Sequence, residues 1–440
     1  MHYAIIGNSA AAVGAVEAIR QYDQEGPITI VADEPHHVYS RPLISYLLGG
    51  VVDEAHMYYR PHDFYERYAV QTMLGVRVTS IELQEQHLVL SGGGVLPYDR
   101  LLIATGGSPF VPPVPGADLE GVFTFSCWQD ARRIDAYIRD RGLDRVHSGD
   151  SQGEERSALV IGGGLIGLKT TEALIERGVR VTLIELADRI LSATFDRTAS
   201  KMAQDILRRA GTDIRVGTTA QEIVGRGGRV DHVILRDGER VNCDLVVFAI
   251  GVRPNTGLIP PESGIRVNRG IVVDRRMGTS VPHVYAAGDC AEAYDCLLGV
   301  RRPIAIWPNA YRQGYVAGCN MAGVETGYEG SFPMNSVEVC GVPTISVGIT
   351  DPQEEREEYE IMERYDRELP AYRKLVLRNK RLVGAICVGD IDRAGIYTGL
   401  IRDQVDVGPF QDHLLSGNFG LISLPKAYRK HLVKGEGIEV

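Results

Sequence analysis

Two short stretches of the chain combine residue types that can hold a dinucleotide. In the first, the apolar run Tyr3-Ala4-Ile5-Ile6 meets the small-residue turn Gly7-Asn8-Ser9-Ala10. In the second, Ala158-Leu159-Val160-Ile161 meets Gly162-Gly163-Gly164-Leu165-Ile166-Gly167. Each then returns to a second apolar run closed by an acid: Ile28-Thr29-Ile30-Val31 with Glu34, and Val181-Thr182-Leu183-Ile184 with Glu185. A small-residue turn lets the backbone approach a pyrophosphate. The helix start behind it supplies unpaired N–H groups and the positive end of a dipole. An acid at the end of the second strand accepts hydrogen bonds from ribose hydroxyls. The second copy carries the full glycine pattern, Gly162, Gly164 and Gly167. In the first, Ser9 and Ala12 stand where glycines are usual. Glu185 would repel the 2′-phosphate of NADP and accept the free hydroxyl of NAD, and Leu186 adds no positive charge. Arg189, near in sequence, leaves NADP open.

The elements that must position these residues follow from the same pattern. Strand, turn, helix, strand and acid are written twice, which implies an α/β fold with parallel sheets. After the first turn Val13, Val16 and Ile19 recur at helical spacing. Asp99-Arg100-Leu101-Leu102-Ile103-Ala104-Thr105-Gly106 and Asp244-Leu245-Val246-Val247-Phe248-Ala249-Ile250-Gly251 are echoes of each other, strands closing in small-residue turns. Val284-Tyr285-Ala286-Ala287-Gly288-Asp289 is a further strand ending in Gly-Asp. The chain has 440 residues, enough for two or three domains. A net charge of −10 argues against nucleic-acid binding. No apolar run approaches the ~20 residues that cross a bilayer. Met1 leads straight into a strand with no secretory pattern, and the 7 cysteines are scattered. The expectation is a cytoplasmic protein with reduced thiols, no metal site and no membrane span. Asp140 to Arg156 reads as an exposed loop, and Cys127, Cys243, Cys319, Cys340 and Cys387 as buried apolar residues.

In this order, the two fingerprints, Ala104-Thr105-Gly106, Gly251 with Arg253-Pro254-Asn255, and Gly288-Asp289 resemble the two-dinucleotide-binding flavoproteins of the pyridine nucleotide–disulfide reductase superfamily. The resemblance implies two Rossmann-like domains, for FAD and NAD, plus a C-terminal α+β interface domain. The expected boundaries are 1–118 with 244–328 for FAD, 119–243 for NAD and 329–440 for the interface domain. It implies that Gly7, Ser9 and Glu34 bind the adenosine and pyrophosphate of FAD, and that Ala10, Thr105 and Gly106 also contact FAD. Asp289 would meet the ribityl chain. Trp307-Pro308-Asn309 would open a helix aimed at the flavin pyrimidine, with Pro308 and Asn309 at its start. On the NAD side the implied residues are Gly162, Gly164, Leu165, Ile166, Glu185 and Gly251. Hydride would pass from nicotinamide C4 to flavin N5.

Two branches of that superfamily use cysteines beside the flavin. The stretch Pro35 to Leu48 contains none. Ser40-Arg41-Pro42-Leu43-Ile44-Ser45 resembles instead NADH-dependent rubredoxin and ferredoxin reductases and the flavin portion of nitrite reductases. This implies an electron-carrier protein, ferredoxin or rubredoxin, as partner. Arg41 could bond the FAD phosphates, with Pro42 stiffening the turn; a surface ion pair is the plainer reading of Arg41. Two positions depart from the branch. Its members often carry a lysine where Tyr46 stands and a glutamate where Lys169 stands, near the nicotinamide. Tyr46 and Lys169 are the expected pocket residues, against the plain reading of Lys169 as an exposed helix lysine. The C-terminal part could dimerise or cover the flavin. The basic tail Pro425 to Lys434 could dock an acidic carrier or be a solvated helix face. Competing readings are an NADH oxidase, a thiol–disulfide (coenzyme A disulfide) reductase, and a flavin-bound scaffold. The reaction direction stays open.

Overall fold

The structure is a computed structural model that describes residues 1–143, 157–352, 358–366, 370–425 and 429. Two compact units emerge: Met1–Leu186 with Gly211–Ser331, and Ala187–Ala210 with Phe332–Val440.

The first unit holds two five-stranded sheets, both wholly parallel. One runs in the order Val284–Ala286, Arg100–Ile103, Tyr3–Ile6, Ile28–Ala32, Val70–Leu74. The other runs Val122–Thr124, Leu245–Phe248, Ser157–Ile161, Arg180–Glu185, Asp213–Val216. The central strands are buried end to end, as Tyr3–Ile6 and Leu245–Phe248 show. Strands covered on both faces read as continuous apolar runs, which is why they were visible in the sequence. After its outer strand each half adds a three-stranded antiparallel sheet, Val78–Glu82, His87–Leu90 and Val95–Pro97 in one, Ala220–Arg226, Arg229–Leu235 and Arg240–Asn242 in the other. A short ribbon, Gly107–Pro109 against Val252–Pro254, ties the halves together.

The helix Ala10–Tyr22 packs against the helix Trp307–Met321. A Cβ on Gly314 would lie 2.0 Å from the Ala11 carbonyl oxygen, so this approach requires glycine. Gly288 sits between the side chains of Ala11 and Ala310, and its N–H donates to Gln313 Oε1 at 2.8 Å. These contacts bring the start of the second helix to the loop that carries Asp289.

The second unit is a five-stranded antiparallel sheet in the order Met334–Val339, Val342–Gly348, Arg381–Val388, Ala371–Arg378, Glu360–Asp366, followed by the helix Ala394–Arg402. Ala187–Ala210, with the helix Arg197–Arg209, belongs to this unit. Lys374, 4% exposed, bonds Asp196 at 3.0 Å, and the Tyr372 hydroxyl donates to the same carboxylate at 2.6 Å. Val337 to Gly348 alternates like a strand in sequence but folds as a hairpin. Cys340 (φ 42°) and Gly341 (φ 85°) form its turn, which leaves Cys340 exposed rather than buried. Cys127 is half-buried, while Cys243, Cys319 and Cys387 are buried. The expected loop at 140–156 begins later than expected, since the helix Trp128–Arg141 includes Asp140 and Arg141. The rest of that loop, 144–156, lies outside the described residues. So does most of the basic tail, and so do parts of the acidic stretch 354–368.

Candidate nucleotide and electron-transfer site

Both turns put their first glycine under the carbonyl that follows the neighbouring strand. At Gly162 (φ +110°) a Cβ would meet the Ala249 oxygen at 2.5 Å; at Gly7 (φ +108°) it would meet the Ala104 oxygen at 2.1 Å. Gly167 packs the helix onto the turn, its Cβ position lying 1.8 Å from the Gly162 oxygen. Gly164 is different, with no heavy atom within 4 Å of its Cβ position. It is the N-cap of the helix Leu165–Glu176, so open space stands directly before unpaired helix N–H groups. Leu165 and Ile166 form the first turn of that helix. Ser9 caps the helix Ala10–Tyr22 without a side-chain bond, which leaves its N-terminal N–H groups for a ligand.

The two acids are held differently. Glu185 accepts the Gly163 N–H at 2.6 Å. Glu34 accepts the Tyr39 hydroxyl at 2.6 Å and is paired with Arg41, whose other arm donates to the Ser126 carbonyl at 3.0 Å. Arg41 thus forms an ion pair with Glu34. Burial works against its charge, but Tyr39, Glu34, Cys127 and Asp289 together hold its pKa up. Pro42 is the second residue of the turn Arg41–Leu43. Leu186 is exposed, and Arg189 is bonded to Asp188 and Asp351 at 3.0 and 2.9 Å within the second unit.

Asp289 lies in a half-buried position, and no described residue donates a hydrogen bond to it. Burial raises its pKa above the ordinary carboxylate range, with Arg41 pulling the other way. Pro308 and Asn309 lie in the first turn of the helix Trp307–Met321. Asn309 is buried, and its Nδ2 has no hydrogen-bond partner among the described residues. Thr105 Oγ1 donates to the Asn255 carbonyl at 2.7 Å, and Asn255 Nδ2 donates back to the Thr105 carbonyl at 2.9 Å. The adjacent Gly106 and Gly251 have open space at their Cβ positions. An unpaired acid, an orphaned amide donor and an uncapped helix start fit the ribityl, pyrimidine and pyrophosphate groups of FAD.

Tyr46 and Lys169 come together. The Lys169 ammonium lies 4.8 Å from the Tyr46 ring centroid. Its charge is paired with Glu172, one helical turn on. Burial opposes the ammonium charge, but Glu172 outweighs it and the Lys169 pKa is raised. Sequence reasoning missed Glu172, although spacing three residues along a helix signals such a pair. It also passed over Asn255 as a site residue.

Burial works against thiolate formation at the two cysteines near the Arg41 turn and the Asp289 loop, Cys127 and Cys290. Burial pushes Cys127 up to about 11 and raises Cys290, which donates to the Ile103 carbonyl at 3.4 Å. Among the described residues no group of three or more His, Cys, Asp and Glu could hold a metal ion, and no helix is long and apolar enough to cross a membrane.

Residues 1–314 match the family described as pyridine nucleotide-disulphide oxidoreductase. The chain belongs to this family. Residues 333–405 match the rubredoxin NAD+ reductase C-terminal domain. The chain is 30% identical over 420 residues to the NADH-dependent phenylglyoxylate dehydrogenase subunit epsilon of Aromatoleum evansii, covering 94% of each. It is 34% identical over 405 residues to the nitrite reductase (NAD(P)H) of Bacillus subtilis, covering 92% of this chain and 47% of that protein. The chain therefore spans about half of that relative's length. Among solved structures, putidaredoxin reductase in covalent complex with putidaredoxin matches with a TM-score of 0.81 and 28% identity, covering 93% of this chain and 94% of that one. The protein is an oxidoreductase of the rubredoxin and ferredoxin reductase type that binds FAD and NAD(H), with two Rossmann-type halves and a C-terminal domain.

Proposed function

We propose that this oxidoreductase takes hydride from NADH and delivers electrons to a small carrier protein of the ferredoxin or rubredoxin kind. The reading divides the chain into an FAD domain (1–118 and 244–328), an NAD domain (119–243) and an interface domain (329–440), with Ala187–Ala210 packed in the second unit. Bound FAD supplies the conversion between a two-electron donor and a one-electron acceptor. The chain's own residues bind and orient. Gly7, Ser9 and Ala10 present helix N–H groups to the FAD pyrophosphate, with Glu34 on its adenosine side and Arg41, in a turn stiffened by Pro42, toward its phosphates. Thr105, Gly106 and Asp289 border the ribityl chain, and Pro308 and Asn309 face the pyrimidine. Gly162, Gly164, Leu165, Ile166, Glu185 and Gly251 hold the nicotinamide nucleotide. Tyr46 and Lys169 line its reactive end.

The observation that carries the acceptor is the absence of a thiol from Pro35 to Leu48, and burial raises the pKa of Cys127 and Cys290. Without an internal disulfide to reduce, electrons must leave for an external acceptor. The likeness to putidaredoxin reductase in covalent complex with putidaredoxin supports a carrier protein in that role. For the donor, Glu185 and the uncharged, exposed Leu186 support NADH over NADPH.

Anaerobic titration of the FAD-loaded protein tests this reading. NADH should bleach the flavin band at far lower concentration than NADPH. Added ferredoxin or rubredoxin should restore the band faster than oxygen or low-molecular-weight disulfides. Faster recovery with oxygen or a disulfide would overturn the carrier assignment.

A further inference from the structure

We infer that Tyr65 is a positioning residue for FAD: through Asn8, its hydroxyl ties the turn that cradles the pyrophosphate to the loop behind the adenosine acid Glu34. The inference rests on the nucleotide assignment above and names what holds that cradle in shape. Asn8 lies between Gly7, at φ +108°, and the helix N-cap Ser9. Both ends of its amide are taken. Asn8 Nδ2 donates to the His36 carbonyl at 3.1 Å, and Asn8 Oδ1 accepts the Tyr65 hydroxyl at 2.9 Å. The same hydroxyl oxygen accepts the Val38 N–H at 2.9 Å. One phenol thus joins the turn to residues 36–38, which follow Glu34 closely in the chain.

The pieces around the phenol are anchored. Val38 is fully buried, and its carbonyl accepts the Tyr59 N–H at 3.1 Å. Tyr65 sits on the short helix Phe64–Arg67, whose Phe64 is buried. Just after that helix, the Tyr68 and Ala69 carbonyls accept from Arg20 at 2.6 and 3.1 Å. Arg20 belongs to the last turn of the helix Ala10–Tyr22. The segment carrying Tyr65 therefore grips that helix near its end and the turn before its start. Burial raises the Tyr65 pKa, so the hydroxyl keeps the proton it donates to Asn8.

The second half joins turn and acid without such a brace. Gly163 stands at the position equivalent to Asn8, and its N–H donates straight to Glu185 at 2.6 Å. In the first half Glu34 is taken by Tyr39 and Arg41 instead, and Ser9 makes no side-chain cap bond. The tie from turn to acid loop runs through Asn8 and Tyr65. A cradle fixed before FAD arrives loses little freedom on binding; without the brace, that ordering cost falls on the cofactor's affinity.

The test follows FAD leaving the loaded protein, read as the rise of free-flavin fluorescence. Tyr65→Phe keeps the ring beside His37 and Phe64 and deletes only the hydroxyl. Asn8→Ala removes the other end and leaves the Tyr65–Val38 bond, so it reads the brace even where the Tyr65 variant does not fold. Each should release FAD about tenfold faster than wild type, the scale of one lost neutral hydrogen bond. On the Asn8→Ala background Tyr65→Phe should add nothing, because the two residues are ends of one bond. ADP-ribose, titrated into the FAD-loaded protein, should bind every variant as it binds wild type. Release at the wild-type rate in either single variant overturns the inference. So do independent, multiplying effects in the double variant. An equal loss of ADP-ribose affinity also overturns it, by showing a general loosening of the protein. Wild type that retains no FAD would instead defeat the nucleotide assignment itself.

Discussion

At Gly7 the backbone N–H donates to the Val31 carbonyl at 2.8 Å, and Ala104 donates to Ile6 at 2.8 Å; at Gly162 and Ala249 the equivalent bonds run to Ile184 and Ile161, also at 2.8 Å. The two nucleotide-binding halves thus share one backbone frame. They differ in what surrounds it. The first half gathers side chains from distant segments: Glu34 clamped by Tyr39 and Arg41, Asp289 from the loop after a later strand, Asn309 from a later helix. The second relies on its full glycine turn and on Glu185, which bonds that same turn. The difference matches a resident cofactor held by many anchored groups and an exchangeable substrate held by a backbone cradle and one acid.

Removing a distant side chain should then hurt the first half most. Asp289→Ala deletes the acid to which no described residue donates. With charge-assisted hydrogen bonds of about 1.5–3 kcal/mol each, FAD affinity should fall by about a hundredfold or more. The check is flavin content after purification and the dissociation constant on reconstitution. Retention of FAD at wild-type affinity would break the contrast between the halves.

The contrast was only partly legible in sequence. The strands Tyr3–Ile6 and Leu245–Phe248 were visible because strands buried on both faces are unbroken apolar runs. The turn at Cys340-Gly341 was not, because alternation continues across it and only one of its two positive-φ residues is a glycine. The Lys374–Asp196 pair left no local pattern, since its members lie far apart in the chain. Tyr46 and Lys169 came from resemblance rather than spacing, and only the geometry shows ring and ammonium in contact.

Within the second half, two glycines should separate folding from binding. Gly162→Ala forces a Cβ into the Ala249 carbonyl at positive φ, and should destabilise the protein by about 1–3 kcal/mol. Gly164→Ala meets nothing in the protein, so stability should hold within about 1 kcal/mol while NADH affinity falls about tenfold. Thermal unfolding and nucleotide titration of both variants read the two effects. Equal loss of stability in both would mean that Gly164 is a packing residue and the cradle reading is wrong.

The acid of the second half sets nucleotide choice by charge. Glu185→Gln keeps an acceptor for the ribose and removes the repulsion of a 2′-phosphate. The preference for NADH over NADPH should shrink by about tenfold, mainly through tighter NADPH binding. Arg189 should not add to this shift, because its guanidinium is already bonded to Asp188 and Asp351. A preference that stays at the wild-type value in steady-state kinetics would remove Glu185 as the discriminator.

The smallest effect is expected at Ser9, where the first turn departs from the glycine pattern. Serine is a strong helix N-cap because its oxygen usually accepts a backbone N–H. Here it makes no such bond, so its loss removes no cap. Its backbone is extended, at φ −138°, a conformation that glycine also adopts. Ser9→Gly should therefore change stability by only a few tenths of a kcal/mol, about the usual cost of exchanging serine for glycine at a cap. FAD affinity should stay within about threefold, because the backbone N–H groups remain in place for the pyrophosphate. Flavin release kinetics measure this most finely. A tenfold faster release would show that the first half holds even its pyrophosphate through a side chain, and would widen the difference between the two turns.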